Sequence, residues 1–366
     1  MLDNEAAFIR HIITGLKSDG HEVTIVCPHG LDATNLPILG SRVLSYRSQR
    51  WERLGVIQRL RLSSVIDEFA IRPPDVMLAW AGADPTMIDT LQRALGPNAA
   101  LTGEQGGGGI PVVAWCWDAA ELFHPLMNCS WVRHVVLSSQ AIQQRVPASF
   151  RLPVTLIQPG VYCDEAVACY DLPGQPPCLV SLDPLSDIKA YEPLIRACRQ
   201  LADDGTDFLL FAYDTGREEH PIWQLASRLD LLSRMSFVPF QQDAEPLLMH
   251  GDLYLHVLPA SRVRYRTLEA MAKGLAVVTC PNHGADYLVD NQTCRIVPGE
   301  VGRPTADAWY GVLGEMIRDR NKGIGIARRA QQLMRDRHPM TRTILQLASV
   351  CRQAAGAPLR LAAVGQ

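Results

Sequence analysis

Short apolar runs alternate with helix-length segments along nearly the whole chain, and no other feature limits its fold so strongly. In the first half, strand-like runs cover Glu22–Cys27, Asp75–Trp80, Pro111–Trp117, Val132–Ser138 and Val154–Gln158, with a helix expected over Pro85–Leu95. In the second half they cover Cys178–Leu182, Phe208–Tyr213, Met235–Val238, Leu253–Leu258 and Ala276–Cys280. The segments between these later runs, Tyr191–Asp203, Pro221–Leu231, Ala244–His250 and Thr267–Lys273, read as helices. Strands joined by helix-length connections run parallel, because antiparallel neighbours need only a tight turn. Helices then cover both faces of the sheet, which is why the runs are continuously apolar.

Between the two series, Tyr162–Pro177 is rich in turn formers and breaks the pattern. The expected organisation is α/β: two Rossmann-like domains, residues 1–162 and 178–345, facing across a cleft, with 346–366 as a helix end and tail. A length of 366 residues fits two domains of about 100–200 residues each. In open parallel sheets ligands bind at the carboxyl ends of the strands, so the cleft is the expected site.

Composition removes several function classes. Lys and Arg number 35 against 38 Asp and Glu, a net charge of -3, so no overall basic field points to nucleic acid. No run reaches the roughly 18–20 apolar residues of a membrane span. The ten cysteines form no Cys-x-x-Cys pair, and their scatter fits a reducing cytoplasm, the expected location. The N-terminus has acidic residues early and lacks a signal-peptide core; it reads as an amphipathic helix with Phe8, Ile9, Ile12, Ile13 and Leu16 on one face.

The segment from Phe237 to Pro298 carries LEAMAKGLAVVT at Leu268–Thr279, preceded by SRVRYR at Ser261–Arg266. With GHEVTIV at Gly20–Val26 and VTLIQPGVY at Val154–Tyr162, it resembles the family 4 glycosyltransferases of GT-B architecture. The resemblance implies a retaining transferase that moves a sugar from a nucleotide-sugar to an acceptor hydroxyl on a glycan, a lipid-linked glycan or a small molecule. It implies no metal or other cofactor, and no Asp-x-Asp occurs. Glu269 is the candidate for the ribose diol, since a carboxylate can accept two hydrogen bonds. The helix start near Tyr265–Thr267 suits a diphosphate, and Lys189 would add a positive charge. Phe237 would line the base. Read without the resemblance, Glu269 is equally a helix carboxylate favoured by the macrodipole and Lys189 a solvated lysine.

Three positions depart from the family pattern. Ser261 stands where its first glutamate would touch the transferred sugar, Asp183 where an arginine would meet the diphosphate, and Trp117 where a histidine would precede Asp118. Arg262, Arg264 and Arg266 are candidates to restore the missing positive charge. Asp118 is a candidate at the acceptor hydroxyl, or a turn cap. These departures leave a second reading open, a non-catalytic GT-B protein that binds a nucleotide or a partner.

Two expectations concern the first domain. The stretch Arg42–Arg61, with Trp51, Leu54, Ile57 and Leu60 among its arginines, reads either as a surface helix or as a basic amphipathic helix lying on an anionic membrane, which would make the protein peripheral there. Topology also calls for a strand before the first helix, at the centre of the sheet, where Met1 falls; its absence would leave unpaired edges on both neighbours. The expectation is an upstream start or a truncated copy. Gly106–Gly109 lacks the Lys-Ser/Thr of a phosphate loop and reads as a connection.

Overall fold

The computed structural model describes residues 6–28, 42–46, 62–80, 83, 85–95, 109–172, 174–183, 185, 187–214, 221–239, 245–258, 262–281, 285–300 and 303–356. The chain forms two units, one of Ile9–Gln158 with Thr341–Gln366 and one of Met1–Phe8 with Pro159–Met340.

The first unit begins in α1 (Ala6–Ser18), whose Ile12 and Ile13 are buried as the apolar stripe requires. Strand β1 (Thr24–Pro28) follows and pairs in parallel with β2 (Arg42–Tyr46). Arg42 thus lies on a strand and not on a basic helix; its guanidinium pairs with Glu68 of α2 (Ser63–Ile71). Leu44 of β2 and Val26 of β1 pack against Leu62, Val65, Phe69 and Leu91, and this burial holds the short strand in the sheet. Residues 47–61, the remainder of the proposed basic helix, lie outside the described residues.

The unit continues with β3 (Met77–Trp80), α3 (Pro85–Leu95), β4 (Val112–Cys116), β5 (Val132–Leu137), α4 (Gln140–Gln143) and β6 (Val154–Leu156). Strands β3, β4, β5 and β6 form a parallel sheet in that order, separate from β1–β2. Among the described residues no strand pairs with both β1 and β3. β4 is buried along its whole length. It is anchored at its start by the Gln92 amide, which donates to the Ile110 carbonyl at 2.5 Å and accepts from the Ile110 N–H at 2.8 Å. A Cβ at Gly109 would stand 2.6 Å from the Gln92 oxygen, so this clamp needs the glycine.

The second unit holds a six-stranded parallel sheet. In chain order it contains β7 (Cys178–Ser181), α5 (Ile188–Asp203), β8 (Leu209–Asp214), α6 (Pro221–Arg228), β9 (Met235–Pro239), α7 (Glu245–Met249) and β10 (Leu253–His256). It continues with α8 (Tyr265–Ala272), β11 (Ala276–Thr279), β12 (Arg295–Ile296), α9 (Ala306–Arg318) and α10 (Arg320–Arg337). The strand order is β12-β11-β10-β7-β8-β9, so the winding reverses between β7 and β10. Helix α5 buries Leu194, Ile195, Cys198 and Leu201 in a core shared with Trp309 and Leu313 of α9.

The turn-rich stretch 162–177, expected to separate domains, is built into this unit. The Asp252 carboxylate accepts from the Tyr170 N–H at 2.5 Å and the Cys178 N–H at 2.7 Å. The Gln331 amide donates to the carbonyls of Asp164 and Ala166 at 3.1 and 2.7 Å. The last helix, α11 (Met340–Ala354), belongs to the first unit from Thr341 onward, where Arg352 pairs with Asp19 at 2.9 Å. Among the described residues no helix is long and apolar enough to cross a membrane.

Candidate functional site

In a doubly wound sheet the loops leaving two neighbouring strands diverge where the winding reverses, which opens a crevice at their carboxyl ends. Here that point lies between β7 and β10, which pair in parallel with Leu179 opposite Leu253 and Val180 opposite Tyr254. Asp183 lies two residues beyond β7, and His256 is the last residue of β10; both are 1% exposed. One oxygen of Asp183 accepts from His256 Nδ1 at 2.8 Å and from the Val257 N–H at 3.0 Å. Burial pushes the Asp183 carboxyl up, but the His256 imidazole, seconded by the Arg264 charge, outweighs it and holds the group below the ordinary carboxylate range. The Tyr191 hydroxyl, from α5, donates to the Asp183 carbonyl at 2.8 Å.

Helix α8 leaves this crevice. Its N-cap, Arg264, has extended backbone (φ -108°, ψ 114°), and no side chain caps the helix. An uncapped helix start carries partial positive charge, and here it is reinforced by the Arg264 guanidinium. In the next turn the buried Arg266 donates to Glu269 Oε2 at 2.8 Å, with side-chain exposures of 3% and 14%. This i,i+3 pair fixes the glutamate's rotamer, while a carboxylate's further lone pairs suit it to a diol. Thr267 is fully buried on the same helix, within electrostatic reach of Tyr254.

The structure therefore gathers Arg264, Thr267 and Glu269 on one short helix beside the switch point. Arg262 lies two residues before the N-cap and is half-buried, whereas Ser261 lies outside the described residues. Lys189 is exposed on the first turn of α5, in a shallow groove with Glu192, Pro193, Arg196 and Ala306. Phe237 lies on the edge strand β9, two strands from β7, packed on the core. Arg266, read from sequence as a candidate phosphate ligand, is turned inward to Glu269 instead, because its position on α8 faces the core.

In the first unit, Asp118 caps a short 3-10 helix over Ala119–Phe123. Its Oδ1 accepts from the Ala120 N–H at 2.9 Å, and Glu121 accepts from the Trp117 and Asp118 N–H groups at 2.7 and 3.3 Å. Trp117 is fully buried and packs on Trp115, with ring centroids 5.8 Å apart.

Sequence reasoning missed the Asp183–His256 pair. Its only sequence signal is a histidine inside the apolar run LYLHVL, and nothing in one dimension names its partner across the sheet.

Residues 178–319 match the model of the family described as glycosyl transferases group 1. The matched stretch lies in the second unit. The match begins at β7 and takes in the switch point and α8. No curated protein sequence matches the chain.

Solved structures extend the likeness to nearly the whole chain. A glycosyltransferase from Rickettsia africae superposes with a TM-score of 0.70 at 14% identity, over 97% of this chain and 96% of its own. The sucrose-phosphate synthase of Thermosynechococcus elongatus gives 0.71 at 15% identity, over 96% and 94%. HepE of Anabaena, solved with UDP and glucose, gives 0.69 at 18% identity, over 94% and 95%. The matched stretch thus sits in a chain with the GT-B fold. Among the described residues no group of three His, Cys, Asp or Glu side chains is placed to hold a metal ion.

Proposed function

We propose that the chain transfers a sugar from a nucleoside diphosphate sugar, bound at the β7–β10 switch point, to an acceptor hydroxyl. One observation carries this reading: the glycosyltransferase match coincides with a helix whose arginine-flanked N-terminus lies about one turn before an oriented carboxylate. In it, Glu269 holds the ribose, the start of α8 with Arg264 meets the diphosphate, and Arg262, Thr267 and Lys189 lie on the donor side. Ser261 takes the position next to the transferred sugar, and Phe237 lies on the side of the base. Asp118 approaches the acceptor, which is a glycan, a lipid-linked glycan or a small hydroxyl compound.

The chemistry needs no metal in this reading. Departure of the nucleoside diphosphate leaves negative charge on phosphate, and fixed N–H dipoles and guanidinium charge stabilise it as it develops. Return of the acceptor oxygen to the same face would retain the anomeric configuration. HepE was solved with UDP, which makes uridine nucleotides the first donors to try.

A thermal-shift panel of UDP, GDP and ADP with their sugars tests the reading. A ligand at about 100 times its Kd stabilises the folded state by about 2.7 kcal/mol. The expected result is a shift with one nucleotide series and release of nucleoside diphosphate when an acceptor is added. No shift with any nucleotide would defeat the proposal. The replacement of family positions by Ser261 and Asp183 favours a second reading, binding without transfer, which a shift without turnover on any acceptor would establish.

A further inference from the structure

The Asp183–His256 pair occupies the switch point yet has no role in the reading above. Asp183 is buried and ionised, so its carboxylate can only accept, and His256 Nδ1 must carry the hydrogen between them. That bond turns Nε2, on the other side of the ring, away from Asp183. Nε2 is buried and, among the described residues, makes no hydrogen bond. An unsatisfied buried nitrogen is costly, and buried polar groups nearly always have partners, so its retention calls for a reason. The Arg264 Nε at the start of α8 is buried and unpartnered in the same way.

The direction of the ring follows from the strand. Tyr254 and His256, two residues apart on β10, share one face of the sheet. Tyr254 lies within electrostatic reach of Thr267 on that face, so α8 covers it there. His256, further toward the carboxyl end, therefore lies under the first turn of α8. Among the described residues, Tyr191 from α5, Tyr254 from β10, Arg264 at the start of α8 and Cys280 after β11 interact electrostatically with Asp183.

We propose that His256 is a ligand-contacting residue of the donor site, with Nε2 donating to a diphosphate oxygen of the bound nucleotide and Asp183 as its positioning residue. The inference rests on the nucleotide-sugar reading. It makes the aspartate at position 183 part of the anion site: Asp183 accepts the Nδ1 hydrogen, so the hydrogen that Nε2 donates to the diphosphate is a second proton, taken up with the ligand.

Titration calorimetry of the full chain with UDP and with uridine tests it, using wild type, His256→Gln and Asp183→Asn. A charge-assisted hydrogen bond lost from the diphosphate should weaken UDP binding by about 10- to 100-fold in His256→Gln, with uridine affinity unchanged. Asp183→Asn keeps an acceptor beside Nδ1 but removes its charge, and should weaken UDP alone by a smaller factor. A measurement on wild type guards against variants that do not fold: the His256 Nε2 nitrogen resonance should move with UDP and stay with uridine. Equal losses for UDP and uridine, or unchanged UDP affinity with a stationary Nε2 resonance, would overturn the inference while leaving nucleotide binding intact. Wild type that binds no nucleotide would instead remove the donor reading and this inference together.

Discussion

Glu269 shows why a binding residue cannot be treated as an isolated group. Its partner Arg266 is buried on the same helix, so removal of the carboxylate breaks an ion pair inside the protein. Breaking such a pair costs about 3–5 kcal/mol, although replacing both partners by apolar groups can be neutral. Glu269→Ala should therefore lower stability by about 3 kcal/mol, and Arg266→Met in the same chain should recover most of that loss without restoring donor binding. Urea unfolding of the two variants checks this; a single variant as stable as wild type would show that Arg266 is solvated. The carboxylate itself was legible from LEAMAKG, because that run brings its own helix and stop. Its partner was not: Arg266 in SRVRYR looks like its neighbours until the helix assigns each a direction.

At the scale of elements, the stop of α8 is set by Gly274. It adopts φ +79°, and the Leu275 N–H closes the turn on the Ala270 carbonyl at 3.0 Å. A Cβ there would stand 2.7 Å from the Val167 Cα, where the 159–177 segment crosses. Gly274→Ala should thus cost more than about 1 kcal/mol, since both the left-handed backbone and the close approach oppose it. Denaturant midpoints would show this, and an unchanged midpoint would mean that the segment can move away. The same scale explains the misread β2. Five residues are too few for a period to emerge, and arginines at 42, 47 and 50 imitate one face of a helix. What makes Arg42–Tyr46 a strand is its ladder with Thr24–Pro28, a contact distant in sequence.

For the whole molecule, the first unit is closed by a helix from the far end of the chain. Leu347 of α11 is fully buried, and Ile344 lies against Gly15 of α1. Leu347→Ala should cost about 2–5 kcal/mol, whereas Arg352→Ala, which removes the part-exposed contacts with Asp19 and His21, should cost less than about 1 kcal/mol. Thermal unfolding of the two variants distinguishes packing from charge as the tie; equal costs would contradict this account.

By itself the sequence determined the class of fold, the parallel sense of the strands and the helix carrying Glu269, because apolar periodicity and helix stops are local properties. Only the tertiary structure decided the rest. It set the strand order and with it the switch point, joined the 159–177 segment to the second unit, and paired Asp183 with His256 and Arg266 with Glu269. Buried charges choose partners by distance in space. Asp183 and His256 lie 73 positions apart in the chain and become neighbours only when β7 and β10 pair.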